Sequence, residues 1–256
     1  MDTYKIFQQV QRQRVSDGEA LPLLSGCETA ERLLVLVWSQ LGDFDSLEYA
    51  WWLQREAERL KAEEVVIRAI GIGDRASGKQ VCKYTGFPED KLFLDPHADL
   101  HRQIDLYPGL SLQLPGFSAT QNAWLNLLLM CAGIGSPGTL AEVFRGYRGD
   151  RQAPQLIADD EVIRATPLPP LKGASFRWAG GKGYQRPFEL ATLRLRNMAE
   201  VLNLWNVYVP DATHITQRGA TFLFNRQGEL LYSHRDQGIL GFAENMSRPL
   251  DFLASS

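Results

Sequence analysis

The chain has 256 residues, 45% hydrophobic and 22% charged, with a formal net charge of −3 at pH 7. That length is ample for a buried core in one large or two small domains, and the slight acidity gives no general attraction for nucleic acid. Three cysteines, Cys27, Cys82 and Cys131, are too few and too scattered for a disulfide framework or a cysteine-rich zinc site, which favours a reducing, intracellular compartment.

The first residues, Met-Asp-Thr-Tyr-Lys-Ile-Phe, lack the apolar centre of a secretion signal. The Gln/Arg-rich stretch up to Arg14 reads as a polar helix or arm, within an N-terminal segment 1–31. Leu33 to Trp38 is a continuous apolar run, the mark of a buried strand. After a short polar turn, Leu47 to Lys61 carries apolar residues at 47, 50, 53, 57 and 60, a helical stripe. Val65 to Ile72 reads as a second buried strand. Ser77 to Tyr84 reads as a short helix ended by Gly86-Phe87-Pro88. Lys91–Leu94 is a third strand, broken by Asp95-Pro96, and Ala98 to Leu106 a further helix. Strands alternating with helices over 32–106 predict parallel pairing in an α/β sheet.

Residues 107–211 read as an insertion, mainly helical, with apolar helices near Ala123–Ala132 and Leu140–Phe144. A Pro-rich stretch from Gln152 to Lys172 and an amphipathic helix over Pro187–Leu204 follow. Trp124 to Ile134, the most apolar segment, falls far short of the ~20 residues of a spanning helix, so no transmembrane segment is expected. In 212–256, Ala220–Phe224 and Leu230–His234 predict a hairpin turned by Asn225-Arg-Gln-Gly228. A final helix would align Phe242, Met246, Leu250 and Leu253, with Pro249 kinking or restarting it.

The most informative position is the turn after the first apolar strand, Asp43-Phe44-Asp45-Ser46. In redox proteins built as strand, turn and helix, a Cys-x-x-Cys stands there, because a helix N-terminus stabilises the attacking thiolate. Carboxylates suit the same positive end, and Asp45 with Glu48 reads as a capping box. They do not attack a peroxide or a disulfide.

Other motifs carry competing readings. Cys82, between Lys79 and Lys83 on a helix, is a candidate thiol for an atypical oxidoreductase, with Cys27 as an adjunct whose pKa Glu28 would raise. Cys131, in Leu-Leu-Leu-Met-Cys-Ala, reads as packing. Gly73-Asp-Arg-Ala-Ser-Gly78-Lys79 fits a phosphate-loop pattern, although Gln80 replaces the hydroxyl that would hold Mg²⁺. His97 and His101, four apart beside Asp95 and Asp99, offer one face for a metal but no third strong ligand. No cofactor is expected. Arg145, Arg148, Arg151, Arg186, Arg194 and Arg196 form solvated faces or an anionic docking surface. The adjacent Trp51 and Trp52 cannot both face the core, and the insertion is expected to cover the outer ring.

The chain resembles the peroxiredoxin-like branch of the alkyl hydroperoxide reductase / thiol-specific antioxidant family. The residues that carry this are Val81-Cys-Lys-Tyr-Thr-Gly-Phe-Pro88, Leu92-Phe-Leu-Asp-Pro96 with Leu100 and Leu106, and Phe144-Arg-Gly-Tyr-Arg-Gly-Asp150. Gln217-Arg-Gly-Ala-Thr-Phe-Leu-Phe224, Gly228 and Leu231-Tyr-Ser-His-Arg-Asp236 complete them. Gly183-Tyr-Gln-Arg-Pro-Phe-Glu-Leu190 resembles a photosynthetic-lineage version, cyanobacterial or chloroplast. The resemblance implies a thioredoxin-like α/β fold: a central mixed sheet flanked by helices, with a large, mostly helical insertion before a C-terminal ββα unit. For active members it implies thiol-dependent peroxide or disulfide chemistry. If Gly42 matches the glycine before the family's Cys-x-x-Cys, the two cysteines fall on Asp43 and Ser46. Arg218 and Gly219 stand where a thioredoxin has its substrate-facing proline. The expectation is a redox-inactive protein of the cytoplasm or plastid stroma that binds a protein partner or small ligand at the former redox site.

Overall fold

The computed structural model describes residues 2–254. A short helix α1 (Thr3–Gln9) leads into the strands β1 (Gln11–Arg14) and β2 (Ala20–Pro22). There follow β3 (Arg32–Gln40), α2 (Phe44–Arg55), α3 (Ala57–Ala62), β4 (Val65–Ile72), α4 (Arg75–Thr85), β5 (Leu92–Leu94) and α5 (Asp99–Gln103). The middle of the chain supplies α6 (Ala119–Cys131), α7 (Thr139–Arg148), a small ladder of β6 (Val162–Ile163) with β7 (Leu171–Lys172), α8 (Arg177–Gly180), α9 (Glu189–Asn203) and α10 (Trp205–Tyr208). The strands β8 (Ala220–Asn225) and β9 (Leu230–Arg235) complete the main sheet.

That sheet has seven strands in the order β2-β1-β5-β4-β3-β8-β9. β3, β4 and β5 run parallel, while β8 pairs antiparallel with β3 and β9 with β8. A parallel βαβ unit sharing its first strand with an antiparallel hairpin is the thioredoxin-like arrangement. The apolar run of β3 alternates between two cores, as side chains on a strand must. Leu34, Leu36 and Trp38 face α2, α4 and α9, whereas Leu33, Val35 and Val37 pack with Phe7, Leu100, Phe222 and Phe224. Leu190, Leu193 and Val201 of α9 belong to the first of these cores.

Several elements differ from the sequence reading. The Gln/Arg stretch is not an arm up to Arg14: Gln11–Arg14 forms a strand that pairs antiparallel with both β2 and β5. The helix over 47–61 breaks at Glu56 into α2 and α3. No helix forms over 242–253; Phe242, Leu250 and Leu253 are buried from a series of turns and a 3-10 turn at Asp251–Ala254. There the Asn245 side chain accepts the Ser247 amide and its carbonyl accepts the Arg248 amide, which closes a turn just before Pro249. Among the described residues, no helix is long and apolar enough to cross a membrane.

Some arginines of the middle segment turn inward. Arg194 joins α9 to α2 and α7 through Glu48 at 2.7 Å and Glu142 at 2.5 Å. Arg145 binds Glu142 and Gln185, and the fully buried Arg186 binds Glu189 and Asp159. Three of the six arginines expected on an outer face therefore act as internal ties. Trp52 is buried and Trp51 half-buried, with the Arg55 guanidinium over both rings. The same guanidinium donates to the carbonyls of Gln155 and Leu156, so the inserted segment is tied beside the tryptophan pair.

Candidate functional site

The turn between β3 and α2 sits under α10. A Cβ on Gly42 would lie 2.7 Å from Val209 Cγ2 and 2.9 Å from Tyr208 Cβ, so only glycine permits this approach. The helix cap is Asp43 rather than Asp45: its Oδ1 accepts the Asp45 amide at 3.1 Å. Glu48 does not close a capping box, because it is committed to Arg194. Asp45 instead points inward, and its two oxygens accept the Leu240 amide at 2.9 Å each. Ser46 is buried, its hydroxyl donating to the Gln40 carbonyl and lying 3.2 Å from Ser39 Oγ. Ser39 in turn donates to Asp43.

The partner of these carboxylates is Arg218, just before β8. Its side chain is fully buried, with Nη2 2.5 Å from Asp43 Oδ2 and Nη1 3.4 Å from Asp45 Oδ2. Its remaining donors meet the carbonyls of Thr216 and Ile215. Asp236 closes the group: its Oδ2 accepts the Gly219 amide at 3.1 Å, while its Oδ1 is buried without a hydrogen-bond partner. A side chain on Gly219 would strike the Val37 carbonyl at 2.3 Å, so this glycine lets β8 bring Arg218 and Asp236 against the turn. One guanidinium thus faces three carboxylates. Burial holds the Asp45 carboxyl well above its ordinary range, with Asp43 adding to the rise and Arg218 opposing it. Burial likewise pushes Asp236 up to about 7 against the pull of Arg218.

An apolar cavity of about 60 Å³ opens beside this group. Phe44, Leu127, Trp205, Val209, Ile215 and Ile239 wall it, and Gly42, Asp43, Gln40 and Cys131 complete the lining. The tilted ring contact of Trp124 with Trp205, centroids 4.8 Å apart, joins α6 to α10 beside it. Gln40 is 2% exposed, yet its Oε1 has no hydrogen-bond partner.

Cys131 is a correction to the sequence reading: it is exposed at this cavity rather than packed in an apolar helix interior. The protein packed around its sulfur raises the thiol pKa, Asp43 raises it further, and Arg218 pulls it down. The two thiols singled out from sequence are both buried. Burial pushes Cys82 up to about 12, with Glu89 and Asp90 adding to the effect, so the flanking lysines do not activate it. Cys27 is raised by burial, and Glu28 contributes as expected. Iodoacetamide is expected to modify Cys131 at least about tenfold faster than Cys82 or Cys27 in the native protein. Peptide mapping after a time course measures this, and equal rates would contradict the burial assigned here.

The other candidates resolve differently. Asp74 caps α4 by accepting the Ser77 amide at 2.8 Å, and Arg75 folds back onto the carbonyls of Val15 and Ser16. Gly73 and Gly78 provide close contact with Ser77 and with Val15 and Leu94, while Lys79 is exposed further along the helix. The Ser77 amide at the helix start, which a phosphate would need, already faces a carboxylate. His97 is exposed, whereas His101 is fully buried with Nδ1 3.1 Å from Asp95 Oδ2 and Nε2 2.8 Å from the Trp38 carbonyl. Both ring nitrogens of His101 are taken, so the pair does not share a metal-binding face.

The family model described as AhpC/TSA antioxidant enzyme matches residues 52–238, more than half of the chain and beginning after the Asp43–Ser46 turn. No curated protein matches the chain. Among solved structures, a cysteine-to-serine mutant of Xanthomonas campestris Peroxiredoxin Q gives a TM-score of 0.44 at 10% identity, over 98% of this chain and 91% of that one. The Xanthomonas campestris bacterioferritin comigratory protein gives 0.44 at 10% identity, over 98% of this chain and 92% of that one. On the extent of the family match, over residues 52–238, this chain belongs to the AhpC/TSA antioxidant enzyme family.

Proposed function

We propose that this chain is a non-catalytic, peroxiredoxin-like binding protein, with its site at the former redox position around Asp43–Ser46. The observation that carries the reading is the ion group itself. A peroxidatic thiol works as a thiolate held by positive charge, yet here the positive charge of Arg218 is spent on Asp43 and Asp45. No sulfur occupies the four-residue turn, and the thiols Cys82 and Cys27 lie buried away from it with raised pKa values. What the turn retains is a shaped apolar cavity, which suits a small ligand or a partner side chain.

The test is steady-state turnover of hydrogen peroxide and an alkyl hydroperoxide with a dithiol reductant. The expected result is no consumption above the reductant blank. Turnover within the usual enzymatic range of about 1–10³ s⁻¹ would overturn the reading.

A second reading, an atypical thiol oxidoreductase, is favoured by one observation: Cys131 stands exposed beside the helix start. That reading moves the candidate nucleophile from Cys82 or Cys27 to Cys131. It requires that any peroxidase activity be lost in Cys131→Ser and kept in Cys82→Ser. Nucleotide binding through Gly73–Lys79 has no such support, since Asp74 caps that helix.

A further inference from the structure

One surface of the inserted segment has a composition unlike the rest of the chain. Residues 106–141 contain no Asp, Glu, Lys, Arg or His, although charged residues make up 22% of the sequence. The segment is not interior, since more than half of its residues are exposed. Leu112, Leu114 and Phe117 are 50%, 45% and 48% exposed, large apolar side chains within six residues of one another.

The protein holds these side chains outward by design of the backbone beneath them. Asn126, buried on α6, accepts the Leu112 amide at 3.1 Å and donates to the Leu112 carbonyl at 3.0 Å. Asn122 accepts the Leu114 amide at 2.9 Å and donates to the Phe117 carbonyl at 3.4 Å. Between them Pro115-Gly116 turns the chain, with Gly116 at φ 85° and the Phe117 amide on the Leu114 carbonyl at 3.2 Å. Ser118 then opens α6 with a capping box. The turn is thus ordered before anything meets it, and covering it costs little further conformational entropy.

Beside the turn lies a cleft of about 420 Å³, walled in part by Leu110, Leu112, Phe117 and Ala123. It shares no lining residue with the cavity beside Asp43. None of its fifteen lining residues carries a fixed charge. His214 is the titratable one, and burial lowers its pKa, so it is neutral at pH 7.5. A projecting turn and a receptacle therefore stand together on one uncharged face.

Two properties select the occupant. A two-fold contact sets a surface against its own image and brings like charges near the axis together. A face without charges escapes that penalty, and it offers a charged partner nothing to pair with. A ridge next to a cleft is also what self-complementarity requires. In extent, the cleft wall and the exposed stretch 114–121 approach the lower end of the about 20–30 residues a side that a stable interface takes.

We infer that two copies of this chain associate about a two-fold axis through this face, the Leu114–Phe117 turn of each seated in the cleft of the other. The association goes beyond the binding role proposed above and does not rest on it.

The experiment is sedimentation of the full chain between about 1 and 100 µM, where an interface of moderate strength assembles. A reductant is present so that the exposed Cys131 does not cross-link copies. The expected result is a species of twice the 28.8 kDa chain mass. Leu114→Glu and Phe117→Glu are each expected to weaken the dimer at least about tenfold, the worth of one buried apolar side chain. Leu230→Glu, at an equally exposed leucine on the sheet-edge strand β9, is expected to leave it unchanged. A single-chain mass across the range overturns the inference, and so does a dimer indifferent to both turn substitutions or one lost only in Leu230→Glu. A monomer that co-sediments with uncharged phosphatidylcholine vesicles would assign the face to lipid and overturn it equally. The mass of the native chain decides the matter even if a variant does not fold. Peroxide turnover bears on the non-catalytic reading alone, so the two failures are distinguishable.

Discussion

Replacing Arg218 with methionine is expected to destabilise the protein by about 3–5 kcal/mol at pH 7.5, the cost of leaving buried charges without their partner. The guanidinium is wholly enclosed and is the cation bonded to both Asp43 and Asp45, with the Asp236 carboxylate also in its field. Methionine fills much of the volume but returns no positive charge, so three carboxylates would face one another in a space closed to water. Urea unfolding measures the loss. Two further outcomes separate this cause from simple mispacking. The loss should shrink toward pH 5, where Asp45 and Asp236, both raised by burial, hold protons and the repulsion fades. Adding Asp43→Asn and Asp45→Asn to Arg218→Met should recover part of the stability, a coupling that independent sites would not show. A loss below about 1 kcal/mol, typical of exposed pairs, would mean that the group is open to water and that the charge balance argued for the site is wrong.

How much of this was legible in the sequence depends on whether the signal was local. The strands β3, β4 and β8 announce themselves because a strand buried on both faces must be apolar at every position, and Leu33–Trp38 is. The strand β1 does not: Gln-Arg-Gln-Arg has no apolar alternation, since its residues range from half-buried to exposed and what holds them is backbone pairing to β2 and β5. At the C-terminus, Phe242, Met246, Leu250 and Leu253 have helical spacing but reach the core through turns. There Asn245 and Pro249 are stronger local determinants than the apolar period. The Asp43–Ser46 turn was readable as a turn into a helix because strand, turn and helix are contiguous. Its partner was not, because Arg218 lies 175 residues along the chain. Two carboxylates at a buried helix start do demand a cation, and that was the available signal: Arg218 directly precedes an apolar strand, where an arginine has no obvious purpose. Cys131 was hidden by its own context. An apolar helix segment reads as packed, and only the placement of α6 beside α10 turns one edge of it toward the cavity.

Asp236 is expected to contribute a fall in stability as pH rises between about 4 and 7, and Asp236→Asn is expected to remove that contribution. The direction follows from the raised pKa. In the folded state Asp236 titrates at about 7, above its ordinary value of 3.8. Between those values the folded protein holds a proton that the unfolded chain has released, so each step up in pH favours unfolding. Below about pH 4 both states are protonated and the penalty vanishes; above about pH 7 both are ionised and it is complete. At about 1.4 kcal/mol per pK unit, this single group has a ceiling of about 4 kcal/mol, and partial relaxation around the charge would lower it to about 1–3 kcal/mol. Asp45, also held well above its ordinary range, acts in the same direction. Asparagine keeps an acceptor for the Gly219 amide that Asp236 now holds at 3.1 Å, but carries no charge at any pH. Asp236→Asn should therefore match the native protein near pH 4 and exceed it at pH 8 by most of that 1–3 kcal/mol. Urea midpoints at the two pH values give the comparison. A variant less stable than the native protein at pH 8 would show that the Asp236 charge is wanted there, as a true partner of Arg218 rather than a surplus beside it.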